Sequence, residues 1–218
     1  MRRGKQNMKK SILAVAGVAA FAGVAMPVAG AFAADTQDFT DIITVTVDSA
    51  CAIARGASET GSYDFGSVAN GVTDTVNGST FKVTCNDKGG YYVYLEGAGT
   101  GTTKTDMIGK NTSTTIATGT ATSDDKSDDK SNWAIKGAAV EGTYKPTIAS
   151  GYTSYAAIPA APTSGSEKSN KFASYANNTD TSTGSSFTTS YQVYISAIQA
   201  ADTYTGKVKF TLMRPDAS

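Results

Sequence analysis

Two cysteines, Cys51 and Cys85, are the only ones in the 218-residue chain, and each closes a run of alternating apolar side chains. The first run is DIITVTV, residues 41–47, which reaches Cys51 through Asp48-Ser49-Ala50. The other is Phe81, Val83 and Cys85, and a further run of Tyr91, Val93 and Leu95 follows it. Period two turns one face of each strand inward, so Ile43, Val45 and Val47 are expected in the core with the other two sets. A Cys51–Cys85 bond would tie the end of the first strand to the end of the third, with YDFGSV (63–68) as a short strand between them. The chain is thereby constrained to strands packed around a cross-link.

Whether the thiols pair depends on the compartment. Arg2, Arg3, Lys5, Lys9 and Lys10 form a positive leader, an apolar run spans 11–33, and Ala31-Phe32-Ala33 reads as a small-x-small cleavage site. The expectation is a signal peptide over 1–33 and one domain over 34–218, secreted to the extracellular cell surface. A retained membrane anchor is the alternative, since the apolar run has about the length of a span. No second run of that length follows, so no membrane span is expected after cleavage. In an exported chain two cysteines most economically form one disulfide. The alternative, two free thiols with one acting as a nucleophile, lacks an activating base, because the chain has no histidine.

Removing the leader takes five of the 19 basic residues and none of the 19 acidic ones, leaving a net charge of −5. That balance is a poor match for nucleic acid, which is not expected as a partner. The missing histidines remove the commonest general base and zinc ligand, and no nucleophile elbow, phosphate loop or dinucleotide fingerprint is present. Acidic pairs such as Glu59/Asp64 or Glu96/Asp106 are of the residue type that serves glycoside hydrolysis, but pairing distance cannot be read from spacing across loops and surface carboxylates are the default. Asp124, Asp125, Asp128 and Asp129 lie in a Ser/Lys-interrupted run that does not match an EF-hand spacing and reads as a solvated loop. The expectation is therefore no enzyme, with no catalytic, cofactor-binding or metal residue and no cofactor.

Further along, Asn70-Gly71 and Asn77-Gly78 read as turns flanking a short strand at 72–76. Phe81–Cys85 and Tyr91–Leu95, joined by the turn 86–90, read as a hairpin. From 97 to 131 the pattern fades. Trp133-Ala134-Ile135 is expected to start the second half of the core, 152–161 to be an extended edge, and 163–189 to be polar loop. Tyr191–Ile198 and Thr203–Leu212 alternate and read as a second hairpin, with Val208, Phe210 and Leu212 inward and Lys207 and Lys209 outward. Seven to nine short strands, no amphipathic helix and turn residues in most gaps predict an all-β, immunoglobulin-like β-sandwich with one disulfide and long polar loops. There is no Cys-Trp-Cys order of the true immunoglobulin domain.

Three stretches carry a family resemblance: TVTVDSACAI, Asp64-Phe65-Gly66-Ser67-Val68, and Thr80-Phe81-Lys82-Val83-Thr84-Cys85. With them the chain resembles secreted bacterial subunits of the fimbrial and spore-coat-U kind. The closing segment Thr203–Leu212 is similar to their final strand. It also resembles the end of WxL-type cell-wall proteins, with Phe210 where that family has tryptophan. The resemblance implies a pilin- or coat-like structural subunit in surface assembly or adhesion, self-associating or joining other surface subunits by β-strand exchange. A monomeric adhesin or carbohydrate- or protein-binding module is the other expectation, with glycan or host protein as partner. Tyr91, Tyr92, Tyr94, Tyr152 and Tyr155 are its candidate contact residues.

Overall fold

The longest strand, β2 (Thr73–Cys85), carries the second cysteine and organises the larger sheet. The computed structural model describes residues 44–45, 49–100, 102–120, 129–162, 167–180 and 182–215. The expected signal peptide, most of the expected 41–47 strand and most of the aspartate-rich run lie outside them. Before β2 comes β1 (Cys51–Arg55), and after it β3 (Tyr91–Gly97), β4 (Met107–Gly109), β5 (Thr115–Thr118) and β6 (Asn132–Ala139). Then follow β7 (Thr147–Ile148), β8 (Lys171–Tyr175), β9 (Ser185–Tyr194), β10 (Tyr204–Thr205) and β11 (Val208–Met213). A curled seven-stranded sheet runs β1-β2-β9-β6-β5-β4-β10, and a four-stranded sheet runs β11-β3-β8-β7. All pairings are antiparallel except β5 with β6. The fold is all-β, two sheets over one core.

The core is where the inner faces of the sheets meet. Val83, Cys85, Tyr91, Val93, Leu95, Ile135, Phe172 and Phe187 are fully buried. Phe81 and Phe187 of the larger sheet meet Phe210 and Phe172 of the smaller one, with ring centroids 4.6 Å apart for Phe81–Phe210 and 5.6 Å for Phe172–Phe187. Each buried ring removes a large apolar area from water, and the tilted contacts add a directional gain. Trp133 is buried in β6 as expected, its indole N–H donating to the Thr105 carbonyl at 2.9 Å.

Cys51 and Cys85 form the disulfide, and they are directly opposite each other in the β1–β2 register. Val45, expected inward, is instead 77% exposed and belongs to no strand. Among the described residues the first strand starts at Cys51.

Both expected hairpins are corrected. β2 pairs with β1 and β9, whereas β3 pairs with β8 and β11. The turn 86–90 carries the chain from one sheet to the other. Asp87 accepts from the Gly89 N–H (2.8 Å) and its carbonyl from the Gly90 N–H (3.0 Å), and Gly90 has φ +78°. A Cβ at Gly90 would stand 1.8 Å from the Tyr175 carbonyl oxygen. Both strands have a fully apolar inner face, so facing each other across the core buries more than lying side by side. The second pair fails likewise: β9 belongs to the larger sheet and β11 to the smaller.

Three smaller expectations also change. Asn77-Gly78 is a register shift inside β2 rather than a turn, and a Cβ at Gly78 would meet Thr189 Oγ1 at 2.4 Å. Residues 63–68 form no strand, although Phe65 and Val68 pack against the core. The supposed loop 163–189 contains β8 and the start of β9, hidden because the inner face of β9 reads Ser185, Phe187, Thr189. Those hydroxyls are satisfied inside: Thr189 donates to the Ser79 carbonyl at 3.2 Å, and Ser185 is bonded to the Tyr91 hydroxyl.

Candidate functional site

β1 and β11 are the end strands of their sheets, and each pairs on one side only. At one end they are tied, where Arg214 donates to the Ser49 carbonyl at 3.3 Å. At the other end a cleft of about 630 Å³ opens between Arg55, residues 61–65 and the stretch 203–208. Its floor is the edge of the core, buried Phe81 and Trp133 with half-buried Phe210. That volume lies within the range of ligand sites, roughly 300–1,000 Å³.

One wall is built from β1, β2 and β9. The Arg55 guanidinium lies 5.9 Å from the centre of the Phe81 ring and against the backbone of Gly61, where a Cβ would stand 2.1 Å from it. Gly61 has φ +73°, so the turn and the cation require the same absence of a side chain. Beside them the rings of Tyr63 and Tyr191 are 5.9 Å apart, and the Tyr63 hydroxyl is bonded to Ser79. Burial pushes the Tyr191 phenol above its ordinary value, a shift that the Thr189 hydrogen bond and the charge of Arg55 oppose and Tyr63 reinforces.

The facing wall is the crossing from β10 to β11. A Cβ at Gly206 would stand 2.7 Å from the Trp133 ring, so this crossing lies directly on the indole. Tyr204 is fixed by its hydroxyl, which donates to the Ala200 carbonyl (2.7 Å) and accepts from Gln199 Nε2 (2.6 Å). Next to it the Asp202 carboxylate accepts from the Thr112 N–H and hydroxyl, the Asn111 N–H and side-chain amide, and the Thr203 N–H, at 2.7 to 2.9 Å. Desolvation works upward on its pKa, but these donors outweigh it and hold the carboxyl well below its ordinary range. The latch ties the turn after β4 to the strand that walls the cleft.

Cations outnumber carboxylates in the cleft lining, two to one. Among the described residues neither Arg55 nor Lys207 has an ion-pair partner, and both are exposed. The one carboxylate lining the cleft, Asp64, is engaged by the Gly66 N–H at 2.8 Å.

Of the candidates singled out from the sequence, only Asp64 lines the cleft; Tyr92 and Tyr94 meet with ring centroids 6.3 Å apart, and the others lie scattered. Tyr91 is fully buried in the core. Tyr92, on the outer face of β3, carries Lys171 4.3 Å above its ring, and Tyr94 beside it is 7% exposed. Tyr152 packs on Phe172 at 5.1 Å, and Tyr155 covers Ala134 and Tyr194 on the opposite outer face. Glu59 accepts from the Thr80 N–H at 2.9 Å, while Glu96 pairs with Lys209 at 2.7 Å and Asp106 accepts from the Thr118 N–H at 3.3 Å. None of these acids faces another across a cleft. Among the described residues no group of three His, Cys, Asp or Glu side chains is placed to hold a metal ion, and no helix is long and apolar enough to cross a membrane. Arg55, Tyr63, Tyr204 and Lys207 carried no sequence signal, because their proximity depends on which sheet each strand joins. No protein-family model and no curated protein matches the chain.

Proposed function

We propose that the chain is an exported bacterial cell-surface protein of fimbrial- or coat-like build that works in adhesion, with the cleft beside β1 and β11 as its binding site. The observation that supports this reading is the cleft itself: half-buried tyrosine rings over a core floor, with two cations in its lining that have no ion-pair partner among the described residues. Aromatic bodies with polar tips are the residues that hold ligands at wet surfaces.

A second reading, a structural subunit that joins other copies or other surface subunits, is favoured by the unpaired outer edge of β11. Strand addition there would extend the smaller sheet and cover the cleft. One experiment separates the two. The full chain is displayed on beads over glycan and host-protein surfaces, alongside Tyr63→Ala, and the native-surface protein is run unboiled on a non-reducing gel. Binding that falls in the variant supports adhesion. A boiling-sensitive ladder without any binding supports the subunit reading, and a monomer band without binding overturns both.

A further inference from the structure

We infer that the cleft takes a carboxylate-bearing sugar, a pyranose ring of uronic- or sialic-acid type. This rests on the adhesion reading above and names its ligand class. Three features of the opening carry it together.

The walls suit a ring with an apolar face. Tyr63 and Tyr191 stand side by side on one wall with their rings tilted by 30°, and Tyr204 stands on the other. A pyranose presents C–H groups on its faces and hydroxyls around its rim. Its faces can cover the tyrosine rings while its rim meets the exposed Ser62, Thr203 and Thr205 at the mouth.

The charge selects an anion. From residue 34 onward the chain has a net charge of −5, yet the cleft is lined by two cations, Arg55 and Lys207, against the single carboxylate of Asp64, and neither cation is in an ion pair among the described residues. Such an inversion focuses a positive potential on a concave, low-dielectric surface. Arg55 is also the better placed cation for a planar anion. Its guanidinium lies beside Gly61 and 5.9 Å from the centre of the Phe81 ring, and its planar fork of donors matches the paired hydrogen bonds that a carboxylate accepts.

Position matters as well. The β10–β11 wall is held by the Asp202 and Tyr204 hydrogen bonds, and the β1 wall by the five-pair ladder to β2 and the disulfide. Both walls are therefore preorganised, which lowers the ordering cost of a small ligand.

Titration calorimetry of the full chain tests the inference with matched pairs, glucuronate- against glucose-terminated and sialyl- against asialo-oligosaccharides. The acidic member is expected to bind at least about tenfold tighter, with the preference shrinking as salt rises. Arg55→Gln and Lys207→Gln, both at exposed positions, should each erode that preference while leaving binding of the neutral member. Lys145→Gln, remote from the cleft, should change nothing. Equal affinity for both members, or a preference that survives in both cleft variants, overturns the acidic ligand while leaving the adhesion reading in place. No saccharide bound at all overturns it too, and host-protein binding lost in Tyr63→Ala would then still support adhesion.

Discussion

The disulfide is the feature whose removal has the most calculable result. Cys51 and Cys85 close a loop with a sequence separation of 34 residues, and in the chain-entropy account a loop of that size is worth about 4 kcal/mol. The fold gives this figure a particular location. β1 is an end strand held by one ladder of five residue pairs, and the bond joins the first of those pairs. Replacing Cys51 by Ala should cost about 3–4 kcal/mol, since its side chain is only half-buried and leaves little cavity. Cys85 is fully buried, so Cys85→Ala should lose a further ~1 kcal/mol from the vacated volume. The double variant should match Cys85→Ala, because once either sulfur is gone the bond is gone. With a urea slope of about 2 kcal/mol/M, the midpoint should fall by about 2 M, and reduced wild type should follow Cys51→Ala. Urea unfolding with and without reductant reads all four quantities. A reduced protein whose midpoint stays within about 0.5 M of the oxidised one would refute the reasoning. So would a double variant that loses the sum of the two single effects.

Three further outcomes follow from the same structure. Phe187→Ala removes a fully buried ring that meets Phe81, Phe172 and Phe210, and should cost about 3–5 kcal/mol by denaturant melting; a loss under about 1 kcal/mol would mean the two sheets do not share this core. Gly206→Ala drives a methyl group into the only tryptophan, so it should destabilise by about 1–3 kcal/mol and shift the Trp133 emission, and an unchanged spectrum would place the crossing elsewhere. Asp202→Asn tests the latch by pH. A folded pKa below the unfolded one stabilises at pH above the ordinary carboxylate value and loses that contribution as pH falls through the folded value. The gap in melting temperature between wild type and variant should therefore be present at pH 7 and shrink below about pH 4, and a gap that stays constant in acid would sink the latch.

The readable part of this fold was what alternation and chemistry write locally. The inner faces Phe81/Val83/Cys85 and Tyr91/Val93/Leu95 are buried, Trp133 is in the core, and the two cysteines are bonded. Alternation fails where a strand buries hydroxyls. β9 looked like loop at Ser185 and Thr189, although both are 2% exposed, because the partners that satisfy them, Tyr91 and the Ser79 carbonyl, are about a hundred residues away. It fails as well for β4, β5 and β7, each two to four residues long, whose pairing neighbours rather than their composition make them strands.

Period two also says which side chains point inward but nothing about which sheet a strand joins, and the candidate site depends on that second fact. A side-by-side hairpin of 81–85 with 91–95, and another of 191–198 with 203–212, would have satisfied every inward position. In the folded chain the turn at 86–90 and the stretch after β9 instead carry the chain between sheets. The second of these crossings passes through β10, which closes the larger sheet against β4, before β11 enters the smaller one. Gly206 lies at that change of sheet, on the face of Trp133, and Lys207 follows it at the cleft mouth. The crossing leaves β11 as an end strand paired only with β3, and half-buried Phe210 on it lines the cleft with Phe81. The cleft lies beside this crossing, and Arg55 and Lys207, 152 positions apart in the sequence, line it together because of where the crossing runs.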